Sequence, residues 1–353
     1  PTIYRLNNGM RVSYLHDPSI VAHLGVTVLA GSRFENENEE GLAHFLEHCI
    51  FKGTKKRRAF HILSRLDSVG GELNAYTTKE EICIYGSFSK EHFVRTSELL
   101  ADITFNSIFP EKEIEKEKEV IIDEINAYLD SPGDKIFDDF ESHLYNGNPL
   151  GNNILGTANS VRSFTREDLL NYVERFFYPE NMVISFVGDL SANKVISRLN
   201  KDFGLIAANG VKQHPISPKG VTPFTIETKE ANYQTHIMIG GKAPGYDDDN
   251  RRVMTLLVNI LGGPALNSRL VLSIREKYGY SYNIEANYTT YQETGYWFVY
   301  AGTDPKYKKK IVQLIKKEIK KFINQPLTDN QLQKAKMQMK GHMALSMDSN
   351  AGL

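Results

Sequence analysis

The chain is predicted to be α+β: two homologous, sandwich-like α/β domains, a duplicated unit in which each copy packs an antiparallel or mixed sheet against helices. Three observations predict this. At 353 residues the chain exceeds one ordinary core and suits two domains of roughly 150 to 200 residues each. Between them, Gly204 to Pro223 gathers Gly, Pro, Ser and Lys without apolar periodicity, as a linker does. After that stretch the order of strand-like and helix-like segments starts again.

The first copy opens as a hairpin, Ile3 to Leu6 and Met10 to Leu15, around Asn7-Asn8-Gly9, followed by a strand through Val21 to Ala30. Next comes a helix in GLAHFLEHCIFKG, with Glu39 and Glu40 near its start and Gly53 at its end. A helix over about Phe60 to Val69 breaks at Gly70-Gly71, and Glu72 to Tyr76 and Glu81 to Phe88 alternate as strands. Helices return at Lys90 to Phe105, Pro110 to Leu129, Asp134 to Tyr145 and Arg166 to Phe177, then a strand at Met182 to Val187 and a helix from Ser191 to Asp202. In the second copy Phe224 to Thr228 and Gln234 to Gly240 read as strands, Asn250 to Leu261 and Asn267 to Lys277 as helices. Tyr280 to Tyr288 and Gly295 to Gly302 follow as strands, Pro305 to Ile323 and Asp329 to Ser346 as helices.

The expected domains are residues 1–207, a linker at 208–223, and 224–353. The second copy lacks a counterpart of the Met182 to Val187 strand, so a C-terminal segment of it is expected to be missing. The end, Asp348-Ser349-Asn350-Ala351-Gly352-Leu353, carries no clean stop signal.

Charge excludes some partners. With 42 basic and 43 acidic residues there is no field to attract nucleic acid or an anionic membrane, and neither is expected as a partner. The lysines of 308–321 alternate with Ile311, Leu314, Ile315 and Ile319, the wet face of an amphipathic helix. No stretch approaches the roughly 20 apolar residues of a membrane span, and the first residues lack the shape of a signal peptide. Cys49 and Cys83 make no disulfide framework. A soluble protein of a reducing, cytoplasmic compartment is the expectation.

The chemistry is concentrated in His44, Glu47 and His48. At helical spacing Leu42, Phe45, Leu46, Cys49 and Ile50 make an apolar stripe, while the two histidines and the glutamate fall on a second stripe beside it. Imidazoles four residues apart are neighbours and can both reach one ion, the arrangement of a zinc hydrolase. Catalytic zinc takes three protein ligands and keeps an open position, so a third ligand must come from elsewhere. In EKEKEVIIDEINAYLD, Glu117, Val120, Ile121 and Glu124 share a helix face, and Glu124 borders the apolar stripe of Ile114, Ile121, Ile125 and Tyr128. A carboxylate at such a border needs a partner, which a metal would supply, although most acids of this helix are solvated charges. The other histidines show no ligand spacing. Gly262-Gly263-Pro264 lacks the Gly-Lys-Ser/Thr of a phosphate loop and reads as a helix-ending turn.

HFLEH, GGELNAYTTKEE, EKEKEVIIDE and SRLVLSIREKYGYSY together, in this order, resemble the pitrilysin family of inverzincin metallopeptidases, in the branch of mitochondrial processing peptidase and its bacterial relatives. The resemblance spans both halves. It implies a Zn²⁺ cofactor held by His44, His48 and Glu124, with Glu47 activating the water and Glu117 as a supporting acid. It also implies that the strand Glu72 to Tyr76 takes an extended peptide substrate as an added strand, with Asn74 and Ala75 beside the scissile bond. Arg275 and Tyr282 resemble the family's pair that contacts substrate and stabilises the oxyanion, Tyr280 being a competing assignment for the Tyr. The expected activity is therefore zinc endopeptidase cleavage of extended peptides or presequence-like segments in an enclosed chamber. A homodimer is expected, since one chain carries both the zinc set and the Arg and Tyr; a heterodimer with a related subunit is the alternative. Two further readings stay open: a non-catalytic scaffold or substrate-presenting subunit, which relatives with degraded zinc motifs exemplify, and a peptidase devoted to maturing one peptide.

Overall fold

The computed structural model describes residues 1–208, 215–230 and 233–346. The middle of the expected linker and the terminal residues without a stop signal lie outside these. In chain order the elements are β1 (Thr2–Arg5), β2 (Arg11–His16), β3 (Val21–Val28), α1 (Leu42–Cys49), α2 (Ala59–Asp67), β4 (Glu72–Thr77), β5 (Ile82–Ser89), α3 (Phe93–Asn106) and α4 (Glu111–Leu129). Then come α5 (Pro132–Leu144), α6 (Ala158–Ser163), α7 (Arg166–Phe176), β6 (Met182–Gly188) and α8 (Ala192–Phe203). The last are β7 (Thr235–Ala243), α9 (Arg251–Gly262), β8 (Ser281–Thr290), β9 (Gly295–Thr303), α10 (Lys308–Asn324) and α11 (Asp329–Ser346).

Two compact units emerge. Pro1–Asn126 and Asn152–Ile216 form the first, while Ala127–Gly151 joins the chain from Ser217 onward in the second. The segment bearing α5 thus packs with the second unit's sheet, against β7.

Among the described residues the first unit holds a mixed sheet in the order β1-β2-β6-β3-β5-β4, with β2 and β6 parallel and the other pairs antiparallel. Strand alternation does what period two requires: Ala22, Leu24, Val26 and Val28 of β3 are fully buried, and the residues between them are not. Helix α1 adds Leu42, Phe45, Leu46 and Cys49 to the same core. Each fully buried Leu or Phe there contributes roughly 1.5 to 3 kcal/mol relative to exposure, so the apolar stripe fixes which way the rest of α1 points. Its edges are β1 and β4, and among the described residues β4 is hydrogen-bonded on one side only, to β5.

The second unit repeats part of this plan. Its sheet runs β7-β9-β8, all antiparallel, the same first-third-second order as β3-β5-β4. No counterpart of β6 appears among the described residues. The strand expected at Phe224 to Thr228 is a correction: that segment is exposed and pairs with no strand, its Phe224 ring resting instead on Phe140 at 5.7 Å between centroids. Apolar alternation there served a ring contact and not a ladder. The helix expected at Asn267 to Lys277 forms with π-type hydrogen bonding over Val271–Glu276. Helix α6 went unread, although Thr157 and Ser160 form a reciprocal capping box at its start. No helix among the described residues is long and apolar enough to cross a membrane.

Candidate metal centre

Helix α1 is set in place before its histidines begin. Its start has no capping side chain of its own at Gly41. The buried Glu35 supplies the missing acceptor, one carboxylate oxygen taking the Gly41 N–H at 3.0 Å and the other the Ala43 N–H at 2.8 Å. Burial pushes this carboxyl up to about 8, against the pull of those two N–H groups. Gly41 sits at φ 92°, where a Cβ would lie 2.7 Å from the Leu155 carbonyl oxygen and 2.8 Å from Gly156 Cα, so only glycine allows this approach. Arg175 adds two hydrogen bonds to the Glu39 carboxylate.

With its apolar stripe buried, α1 turns His44, Glu47 and His48 together. The imidazoles stand 4.7 Å apart between centroids. Glu124, on the fourth turn of α4, places Oε2 3.8 Å from His44 Nε2 and 3.5 Å from His48 Nε2. One ligand atom from each of the three lies within 4.8 Å of the others. The donor chemistry fits zinc: two nitrogens and a carboxylate, the three-ligand set of a catalytic site. His44 is 7 % exposed, and burial, with His48 beside it, lowers its pKa to about 4. It is therefore a neutral imidazole at ordinary pH, the form that binds a metal.

Behind the ligands, Glu117 Oε2 lies 3.2 Å from His48 Nδ1. A carboxylate there holds the proton on Nδ1 and leaves the Nε2 lone pair free, the usual outer partner of a metal-binding histidine. The Nδ1 of His44 is buried with no partner among the described residues.

Glu47 is half-buried on the same helix. Burial holds its carboxyl above the usual carboxylate range; the Thr77 hydroxyl and His48 pull it down, and Glu124 pushes it up. A carboxyl held above its ordinary range beside two imidazoles has the chemistry to accept a proton. Thr77 ends β4, so this end of the edge strand runs up to Glu47. Along that edge Asn74 is exposed and Ala75 half-buried, and the Asn74 side-chain oxygen accepts the Ala75 N–H at 2.9 Å.

In the second unit the structure brings Arg275 and Tyr282 together, the guanidinium 5.1 Å from the ring centroid. Tyr282 is 84 % exposed and open to a ligand. Tyr280 instead stacks on Tyr307 at 4.3 Å and Tyr278 at 5.2 Å, a packing role. Three residues around the centre went unread from sequence: Glu35, Thr77 and Lys52. Lys52 was findable, being four after His48; Glu35 and Thr77 reach the site through chain reversals that no spacing reveals.

The sequence model of the insulinase family, peptidase family M16, matches residues 11–158, and that of the peptidase M16 inactive domain matches 163–339. The uncharacterized zinc protease YmxG of Bacillus subtilis is 33% identical over 349 residues, covering 98% of this chain and 84% of that protein. An uncharacterized zinc protease of Rickettsia felis is 32% identical over 350 residues, covering 99% and 84%. Among solved structures, a peptidase M16 inactive domain from Pseudomonas fluorescens superposes with a TM-score of 0.91 at 19% identity, covering 96% of this chain and 83% of that one. A protease from Helicobacter pylori gives 0.88 at 22% identity, covering 99% and 86%. These two share the fold; the family follows from the sequence matches along the whole chain. The chain belongs to the M16 peptidase family, the insulinase and pitrilysin group.

Proposed function

We propose that this protein is a zinc-dependent endopeptidase acting on extended peptides. The observation that carries the reading is the convergence of His44 Nε2, His48 Nε2 and the Glu124 carboxylate beside Glu47, next to a free sheet edge. A zinc ion on these three side chains would lower the pKa of a bound water toward about 7 and polarise a peptide carbonyl. Glu47 accepts the proton of the attacking water and returns it to the leaving amine. Its place on α1 between the histidines puts it near the water without spending it as a ligand. Glu117 holds His48 in the binding tautomer.

The substrate adds as a strand along β4, backbone to backbone, which gives affinity with little side-chain selectivity. Asn74 and Ala75 flank the scissile bond in this reading, and Arg275 with Tyr282 serves as a donor pair for the developing oxyanion. The working form is a homodimer. An intact donor set favours catalysis over a scaffold role. The test is cleavage of a quenched-fluorescent peptide library after chelation: activity should vanish with the metal and return on adding one zinc per chain. Cleavage indifferent to chelator would remove the reading.

A further inference from the structure

We propose that Lys52 is a positioning residue for the metal centre, acting on His48 through Glu117. The inference rests on the zinc reading above. Two stripes face each other: His44, His48 and Lys52 at successive i, i+4 positions from α1 onward, and Glu117 with Glu124 seven apart on α4. Their contacts alternate between the stripes. His44 and His48 both approach Glu124 Oε2, at 3.8 and 3.5 Å; His48 Nδ1 meets Glu117 Oε2 at 3.2 Å; Lys52 Nζ meets Glu117 Oε1 at 2.5 Å. The Glu117 side chain is 10% exposed and Lys52 is 25%.

A carboxylate this buried orients by its partners, and Glu117 has one on each oxygen. With the ammonium on Oε1, Oε2 stays turned to the His48 ring. Because His44 Nδ1 has no partner among the described residues, the relay on His48 is the device by which side chains here fix an imidazole for binding. Lys52 is not the only tie on the segment that follows α1. Contacts to the α3–α4 connection hold it as well: Ile108 N–H donates to the Gly53 carbonyl at 3.1 Å, Thr54 bridges Ser107, and the Ser107 hydroxyl donates to the Ile50 carbonyl at 3.1 Å.

The sign of the effect separates this from simple charge. Coulomb repulsion alone makes an ammonium near a cation site unfavourable, so its removal should tighten metal binding. A positioning role predicts the reverse. Zinc affinity is to be measured by chelator competition for the parent, Lys52→Met, Lys52→Arg, Glu117→Gln and the Lys52→Met/Glu117→Gln pair, with unfolding midpoints of the metal-free proteins alongside. Lys52→Met should weaken zinc by about 10- to 100-fold, and Lys52→Arg should recover most of that loss. In the Glu117→Gln background Lys52→Met should change affinity by no more than about twofold, since the two act as one unit. Should Lys52→Met alone misfold, the Arg variant and this background still decide: a tenfold loss on adding Lys52→Met to Glu117→Gln overturns the relay. Unchanged or tighter zinc in a folded Lys52→Met also overturns it. If the parent itself binds no zinc, the proposed centre falls and this inference with it, whereas a zinc-binding parent with an indifferent Lys52 removes the inference alone.

Discussion

Glu35 shows how much of the candidate metal centre is decided by a residue outside its donor set. Its two oxygens accept the first N–H groups of α1, and replacing it by Gln leaves one of them facing an amide NH₂ group. A buried N–H stripped of its acceptor costs about 1 to 3 kcal/mol, so Glu35→Gln should lower stability by that order. The pH dependence has a definite sign. Burial raises this carboxyl from 4.5 to about 8, so over that window the folded chain keeps a proton that the unfolded chain releases, and stability falls as pH rises. Glu35→Gln lacks that loss. Urea unfolding of both proteins should show the parent's advantage largest below about pH 4.5 and shrinking toward pH 8. An advantage constant across the range would contradict the assignment. His44, whose depressed pKa acts in the opposite sense and penalises acid, is common to both proteins and cancels in the difference. Gly41→Ala is a second test at this scale: the residue would clash with the Leu155 carbonyl in a left-handed conformation, costing roughly 1 to 3 kcal/mol, visible as a lowered Tm.

Among the elements, β4 carries the most specific prediction of the proposed reading. An edge strand offers its free N–H and C=O groups on every second residue. N-methylating alternate amides of a peptide substrate should therefore raise KM for one phase of the alternation and leave the other nearly unchanged, each lost bond costing about 0.5 to 1.5 kcal/mol. Equal sensitivity in both phases would argue against strand addition. The elements also show what was legible beforehand. Period-two runs such as Val21–Val28 and the apolar stripe of α1 were readable because burial on one face leaves a pattern in the residues themselves. Glu124 borders the apolar face of α4, but spacing left it one acid among several solvated ones, and only the family resemblance singled it out. Phe224 to Thr228 misled because its apolar residues serve contacts other than a sheet. The clamp of Glu35 and the meeting of Thr77 with Glu47 depend on where loops return, which local sequence does not encode.

Across the whole molecule, the proposed reading divides the chemistry between the two copies. The first unit carries the donor set on α1 and α4; the corresponding part of the second has the three-stranded β7-β9-β8 sheet and presents an exposed Tyr282 under Arg275. If that pair serves turnover, Tyr282→Phe should lower kcat by about 10- to 1000-fold while zinc content and KM stay near the parent's; unchanged kcat would confine the pair to packing. A homodimer should appear in sedimentation as twice the chain mass at micromolar concentration, and a stable monomer with full activity would contradict it. Zinc content and peptide cleavage measured side by side for the parent and Glu47→Gln decide whether this chain is a zinc peptidase with Glu47 as its base. Such an enzyme should hold one zinc per chain in both proteins, with turnover reduced by about 100-fold or more in the variant. Zinc lost from Glu47→Gln, or cleavage surviving in it, would contradict that role.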